Sequence, residues 1–179
     1  MTARWRDSHG CSPQACGEPQ GSCRLDTGAG NGRRERETTV STRSYIGIQD
    51  GETITAIYCH FDGYPSAVGQ ELSDHYTDPE KVRALVALGD LSVLGAELGK
   101  QQDFDAPNGE DWCLAYGRDR GEKGVGAKTH SGESEFLFSA ERHGTEYAYL
   151  FRDSTWTCFD HGKAGMPLAD AIKADGAEG

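Results

Sequence analysis

Apolar and polar positions along the chain change their period several times, and each change marks a predicted element. From Ser44, the residues Tyr45, Ile46 and Ile48, then Ile54, Ile57 and Tyr58, form two β-rich runs separated by Asp50-Gly51, the signature of a hairpin. Alternation in the second run puts Ile54, Ala56, Tyr58 and His60 on one face and Thr53, Thr55, Ile57 and Cys59 on the other. The turn FDGYP ends this strand; Asp62 can bond its own following backbone, Gly63 permits positive φ, and Pro65 sets the exit. Beyond it, Val68, Leu72 and Tyr76 recur at i, i+4, i+8, the stripe of a short amphipathic helix. Asp78 then reads as an N-cap, with Pro79 at the first helical position, Glu80 in the first turn, Val82, Leu85 and Val86 on one face, and Gly89 as the stop. The segment Asp90-Leu91-Ser92 with Leu94 is expected to add one more turn.

The second half is less regular. Residues 99–111 are a polar loop, Trp112, Leu114 and Tyr116 alternate as a strand, and GRDRGEKGVGAKTHSGESE is a long Gly-rich charged loop. Phe136, Leu137 and Phe138 are apolar without a decisive period. Glu146 to Arg152 and Thr155 to Asp160, joined at Asp153-Ser154, form a second hairpin, and Met166 to Ala174 a short helix on Leu168, Ala171 and Ile172. Together these predict an α+β domain over residues 40–175: an antiparallel sheet of about five strands with two or three short helices on one side. Residues 1–39 are rich in Gly, Ser, Pro, Gln and Arg without apolar periodicity and are expected to be a disordered tail. Valine is how a GTG start codon reads, so Val40 is also a candidate start, with residues 1–39 lying upstream of the natural product.

Three stretches carry a resemblance: STRSYIGI at 41–48 followed by Asp50-Gly51, IYCHFDGYPSAVG with HYTDPEKVRALVALGDLS, and YGRDRGEKG at Tyr116 to Gly124. Together they resemble a family of small proteins encoded by tailed bacteriophages and prophages. The resemblance spans Ser41 to the C-terminal region and transfers no reaction. It implies an accessory phage protein acting inside a bacterial cell.

Charge sharpens that expectation. The chain holds 18 Lys and Arg against 29 Asp and Glu, a net −11, and the first 39 residues take six Arg and five acids. The remainder therefore carries 12 basic against 24 acidic residues, or −12, which repels nucleic acid and favours basic surfaces. Acidity also simply maintains solubility, the more ordinary explanation. No stretch approaches the ~18 apolar residues of a membrane span. An odd set of three cysteines in the body, Cys59, Cys113 and Cys158, with no apolar leader, points to reduced thiols in a bacterial cytoplasm.

Several constellations compete for chemistry. GEKGVGAKT resembles a phosphate-binding P-loop, but Ala127 separates the last Gly from Lys128, and the loop needs Lys directly after Gly. Arg118, Arg120, Lys123 and Lys128 nevertheless make this loop a candidate phosphate or partner contact. Cys59, His60, Asp62 and His75 could serve zinc, as could Cys158, Asp160 and His161, yet neither spacing matches a ligand motif. The tail cysteines Cys11, Cys16 and Cys23 with His9 also lack paired knuckles. Cys59 with His75 as base would give a small enzyme; Glu71 and His75 at i, i+4 read more simply as a helix-surface pair. The surface expected to bind a partner comprises Asp62, Tyr64, Glu71, Asp74, His75, Tyr76 and Asp78. The resulting expectation is a non-enzymatic protein without a cofactor. It would bind and inhibit a host bacterial protein, a defence or nucleic-acid-handling complex, as an anti-CRISPR or antirestriction factor with an acidic nucleic-acid-mimic face.

Overall fold

Strands β1 (Ser44–Asp50) and β2 (Thr53–Cys59) pair as an antiparallel hairpin in the register Asp50↔Thr53, with Gly51 at positive φ. The computed structural model describes residues 41–109, 111–160 and 163–178. The expectations for residues 1–39, for the tail cysteines and for a start at Val40 lie outside the described residues. A π-helical turn (Pro65–Gly69) leads into α1 (Gln70–His75), followed by α2 (Pro79–Ala87) and the short strands β3 (Leu91–Val93) and β4 (Leu114–Ala115). Then come α3 (Tyr116–Arg120), β5 (Lys128–His130) and α4 (Glu133–Arg142). The chain closes with β6 (Tyr147–Arg152), β7 (Thr155–Asp160), β8 (Met166–Pro167) and α5 (Leu168–Glu178).

The sheet is mixed and eight-stranded, in the order β4-β3-β2-β1-β6-β7-β8, with β5 also on β2. This corrects the expected antiparallel sheet of about five strands. The two hairpins do form, but they meet through their first strands: β1 and β6 run parallel, Ser44 opposite Tyr147 and Ile48 opposite Phe151. Such a pairing buries both faces, and both strands are buried almost throughout, so neither alternates with polar residues.

Helices cover both faces, not one. On the first, Ile46, Ile48, Ile57 and Tyr149 pack with Leu72, Tyr76, Val82 and Leu85 of α1, α2 and the segment between them, and with Leu168 of α5. On the second, Tyr45, Ile54, Ala56 and Leu150 pack against Phe136 and Ala140 of α4. Gly47 makes this second layer possible, since a Cβ there would lie 2.8 Å from the Phe136 ring.

Local expectations fare unevenly. The Asp78 cap holds, its carboxylate accepting from Glu80 N at 3.1 Å, and Gly89 ends the helix region at φ 79°. The stripe Val68, Leu72, Tyr76 is buried as drawn. The expected turn at 90–94 is strand β3, because Leu91 pairs with Cys59 and its own run is too short to propagate a helix. The expected strand at Trp112 to Tyr116 shrinks to Leu114–Ala115, since Tyr116 already opens α3. The Gly-rich loop contains α3 and β5, the segment around Phe136 is α4, and α5 runs through Glu178 rather than fraying after Ala174. Among the described residues no helix is long and apolar enough to cross a membrane.

Candidate functional site

The turn after β2 is built by close backbone approach. His60 N and Phe61 N donate to Leu91 O and Ser92 O at 3.0 Å each, extending the pairing with β3 beyond the strand. The chain then reverses at Asp62, whose φ is 55°; the left-handed residue is this aspartate and not Gly63 as expected. Gly63 has a different role. Its N donates to Thr42 O at 2.8 Å, its O accepts from Tyr149 Oη at 2.8 Å, and a Cβ there would sit 2.6 Å from Arg43 C. Any other residue would push the two backbones apart.

A turn held by such backbone contacts has less backbone entropy to lose on binding. Phe61 and Tyr64 flank it at 39% and 37% exposure, and Val93 of β3 at 37% extends the apolar surface. Between them lies a cleft of about 170 Å³ lined by Phe61, Asp62, Val68, Glu71 and Val93. Asp62 and Asp74 are exposed, and Asp74 accepts from Gln70 Nε2 at 2.8 Å. Glu71 and His75 stand 3.7 Å apart as the expected helix-surface pair.

The set drawn from sequence is thus brought together in part. Asp62, Tyr64, Glu71, Asp74 and His75 belong to the turn and to α1, which follows it. Asp78 is exposed but committed to capping α2. Tyr76 is fully buried: its Oη donates to Gly95 O at 2.6 Å and its carbonyl accepts from Trp156 Nε1 at 2.8 Å. It is a core residue and leaves the docking set. Phe61 and Val93 take its place.

The basic loop disperses. Arg118 wraps back onto Asp119 at 2.8 Å and donates to Leu98 O at 2.6 Å, so it stitches the polar loop. Arg120 pairs with Glu122 at 3.1 Å and lies over the Phe104 ring. Lys123 is exposed, and Lys128 points to His143. Lys128 begins a strand, not the helix a P-loop requires.

The Cys/His set does not assemble. Cys59 is fully buried, its thiol 3.8 Å from Phe61 O, and burial pushes the thiol up to about 12, far from the thiolate a nucleophile or zinc ligand needs. His60 points to the other face, its Nδ1 2.8 Å from Tyr58 Oη, while His75 is exposed on α1. Cys158 is likewise buried and its thiol pushed up to about 12; its companion His161 lies outside the described residues. Among the described residues no group of three or more His, Cys, Asp or Glu is placed to hold a metal ion.

One cluster escapes sequence reading altogether. On the α4 face Tyr45 Oη lies 3.0 Å from His130 Nε2, the Tyr45 ring stacks on His143 at 5.4 Å, and Lys128 Nζ lies 2.6 Å from His143 Nε2. These residues come from β1, β5 and the end of α4, and no local motif links them.

No family model, curated protein or solved structure matches this chain.

Proposed function

We propose that this chain is a phage- or prophage-encoded accessory protein that binds a basic host protein through the Phe61–Tyr64 turn and inhibits it. One observation carries the reading: two aromatic side chains stand more than a third exposed on a backbone that Gly63 and its partners hold fixed, and Phe61 borders a small cleft that Val68, Val93, Asp62 and Glu71 also line. Rigid aromatic anchors dominate binding energy at protein interfaces, and each is worth about 2 kcal/mol when truncated. The acidic excess then selects a partner with a basic surface and speeds the encounter. A host complex that handles nucleic acid, or a defence complex in the bacterial cytoplasm, offers such a surface. The STRSYIGI, HFDGYP and GDLS stretches support the phage setting.

The test is capture from bacterial lysate by the full chain, in parallel with Phe61→Ser/Tyr64→Ser and with Asp62→Asn/Glu71→Gln. Asn tolerates the left-handed conformation at position 62, so the second variant changes charge and leaves the turn. The expected result is one host protein enriched by the wild type and reduced at least about tenfold by either pair, the equivalent of about 1.4 kcal/mol. Undiminished capture by the aromatic variant overturns the proposal.

A further inference from the structure

Buried polar groups persist only where each donor meets an acceptor, so their pairing reveals protonation. Tyr45 and His130 are 1% and 6% exposed. Tyr45 Oη lies 3.0 Å from His130 Nε2 and accepts from Ser139 Oγ at 3.4 Å, and burial favours the neutral form of His130. His143 is more tightly specified. Its Nδ1 lies 2.6 Å from Ser139 O, a carbonyl that can only accept, so Nδ1 carries hydrogen. Its Nε2, 2.6 Å from the Lys128 ammonium, must therefore be the bare nitrogen. A hydrogen on Nε2 would set an N–H against the Lys128 ammonium group.

These contacts sit on a short strand at the side of the sheet. β5 is three residues long and pairs only with β2, through Ile54↔His130, Thr55↔Thr129 and Ala56↔Lys128. We infer that Lys128–His143 and Tyr45–His130 form a proton-operated clasp, which fastens β5 and the end of α4 to the sheet at neutral pH and releases β5 in mild acid.

The surrounding charges bear on this from every side. Asp90, ahead of β3, faces Lys128 and His143 and its charge favours an added proton there, while its Oδ1 accepts from Tyr58 N at 2.9 Å and burial raises its own pKa. Glu135 on α4 faces His130, yet its Oε2 accepts from Ser131 N and Oγ at 2.7 and 2.6 Å. Arg43, 3.4 Å from Gly144 O, adds a further positive charge close to the end of α4. Burial, the strongest influence on His130, outweighs the opposing charge of Glu135 and holds its pKa below the ordinary 6.5, with the nearby His143 and Lys128 acting in the same direction as burial. A base depressed in the fold takes up its proton more readily once released, so the open form gains as pH falls below that value. The clasp is independent of the turn proposed to bind a partner.

Amide hydrogen exchange on the full chain, corrected for intrinsic rates, tests this between about pH 7.5 and about pH 5.5. The expected result is an opening equilibrium at residues 128–130 that rises at least about tenfold in acid, while the β1–β6 pairing stays protected. Equal protection of β5 at both pH values overturns the clasp, as does a parallel rise in β1–β6, which would be global unfolding. The His130→Gln/His143→Gln chain, whose amides can bond Tyr45 and Lys128 without titrating, should lose the response; retention of it overturns the assignment. Should that variant misfold, ring-nitrogen spectra of the wild type decide: His143 must carry hydrogen on Nδ1 near neutral pH, and hydrogen on Nε2 instead refutes the geometry.

Discussion

Asp119 shows how much of this molecule rests on single polar residues. Its side chain is fully buried and accepts from Ala115 N at 2.8 Å, Gln102 N at 3.0 Å and Arg118 Nε at 2.8 Å, so one carboxylate pins the loop of residues 99–113 to α3. Burial by itself would raise its pKa, but the hydrogen bonds and the Arg118 charge outweigh it and hold the group below the ordinary 3.8. A carboxyl depressed in the fold contributes stability that is complete above the unfolded value and lost as pH falls through the folded one. Asp119→Asn should therefore cost about 3 kcal/mol near neutral pH, the scale of breaking a buried pair, and should flatten the acid limb of stability below about pH 4. Urea unfolding across that range measures both. Sequence reading placed Arg118 in a candidate phosphate or partner loop because it stands with Arg120, Lys123 and Lys128 in a Gly-rich stretch, whereas this arginine folds back on its neighbour Asp119. Tyr76 was legible and yet misassigned: the stripe with Val68 and Leu72 that predicted its helix already put it on the buried face. The exposure of Phe61 and Tyr64 was legible, because both flank the Asp62-Gly63 turn that Pro65 closes.

At the scale of elements, legibility followed length and local chemistry. The hairpin β6–β7 is readable because six residues on each side repeat and the turn sits at Asp153-Ser154. Both turn residues adopt positive φ, 50° and 60°, the geometry of a type I′ turn that favours Asn-Gly. Ser154 carries a Cβ in that conformation, so Ser154→Gly should stabilise the protein by about 1 kcal/mol, read as a higher urea midpoint with an unchanged slope. A lower midpoint would mean that the serine makes a contact worth more than the strain. α2 was readable for the same kind of reason, a cap, a proline and a stop within a dozen residues. The strands β3, β5 and β8 were not, since two or three residues complete no period and only their partners define them, and β4 was read only as a longer strand than it is. α4 escaped because only Phe136 and Ala140 of its ten residues are buried and no side chain caps it. The parallel pairing of β1 and β6 joins residues about a hundred positions apart, and no local pattern encodes such a partner.

For the molecule as a whole, charge is the property read most directly from sequence and the one with the widest consequence. The basic residues are largely spent on intramolecular pairs: Arg83 with Asp50 and Glu80, Arg120 with Glu122, Arg152 with Glu133, Lys81 with Glu97. These pairs are mostly exposed and each contributes little, at most about 1 kcal/mol. Acids still outnumber basic residues across the chain, which carries a net −11. Salt then acts on two quantities with opposite sign. Screening shortens the reach of like-charge repulsion from tens of ångströms at about 0.01 M to about 3 Å at about 1 M, which should raise the urea midpoint of the free protein. The same screening should weaken capture of a basic partner by the Phe61–Tyr64 turn, because the encounter depends on the opposite charge. Aromatic anchoring alone would hold or strengthen with salt, since apolar burial does not weaken in it. A single salt titration read by both urea unfolding and partner capture therefore separates the contributions. Stability rising while capture falls assigns the acidic surface to binding; stability rising with capture unchanged leaves the aromatic turn as the anchor and makes the charge a matter of solubility.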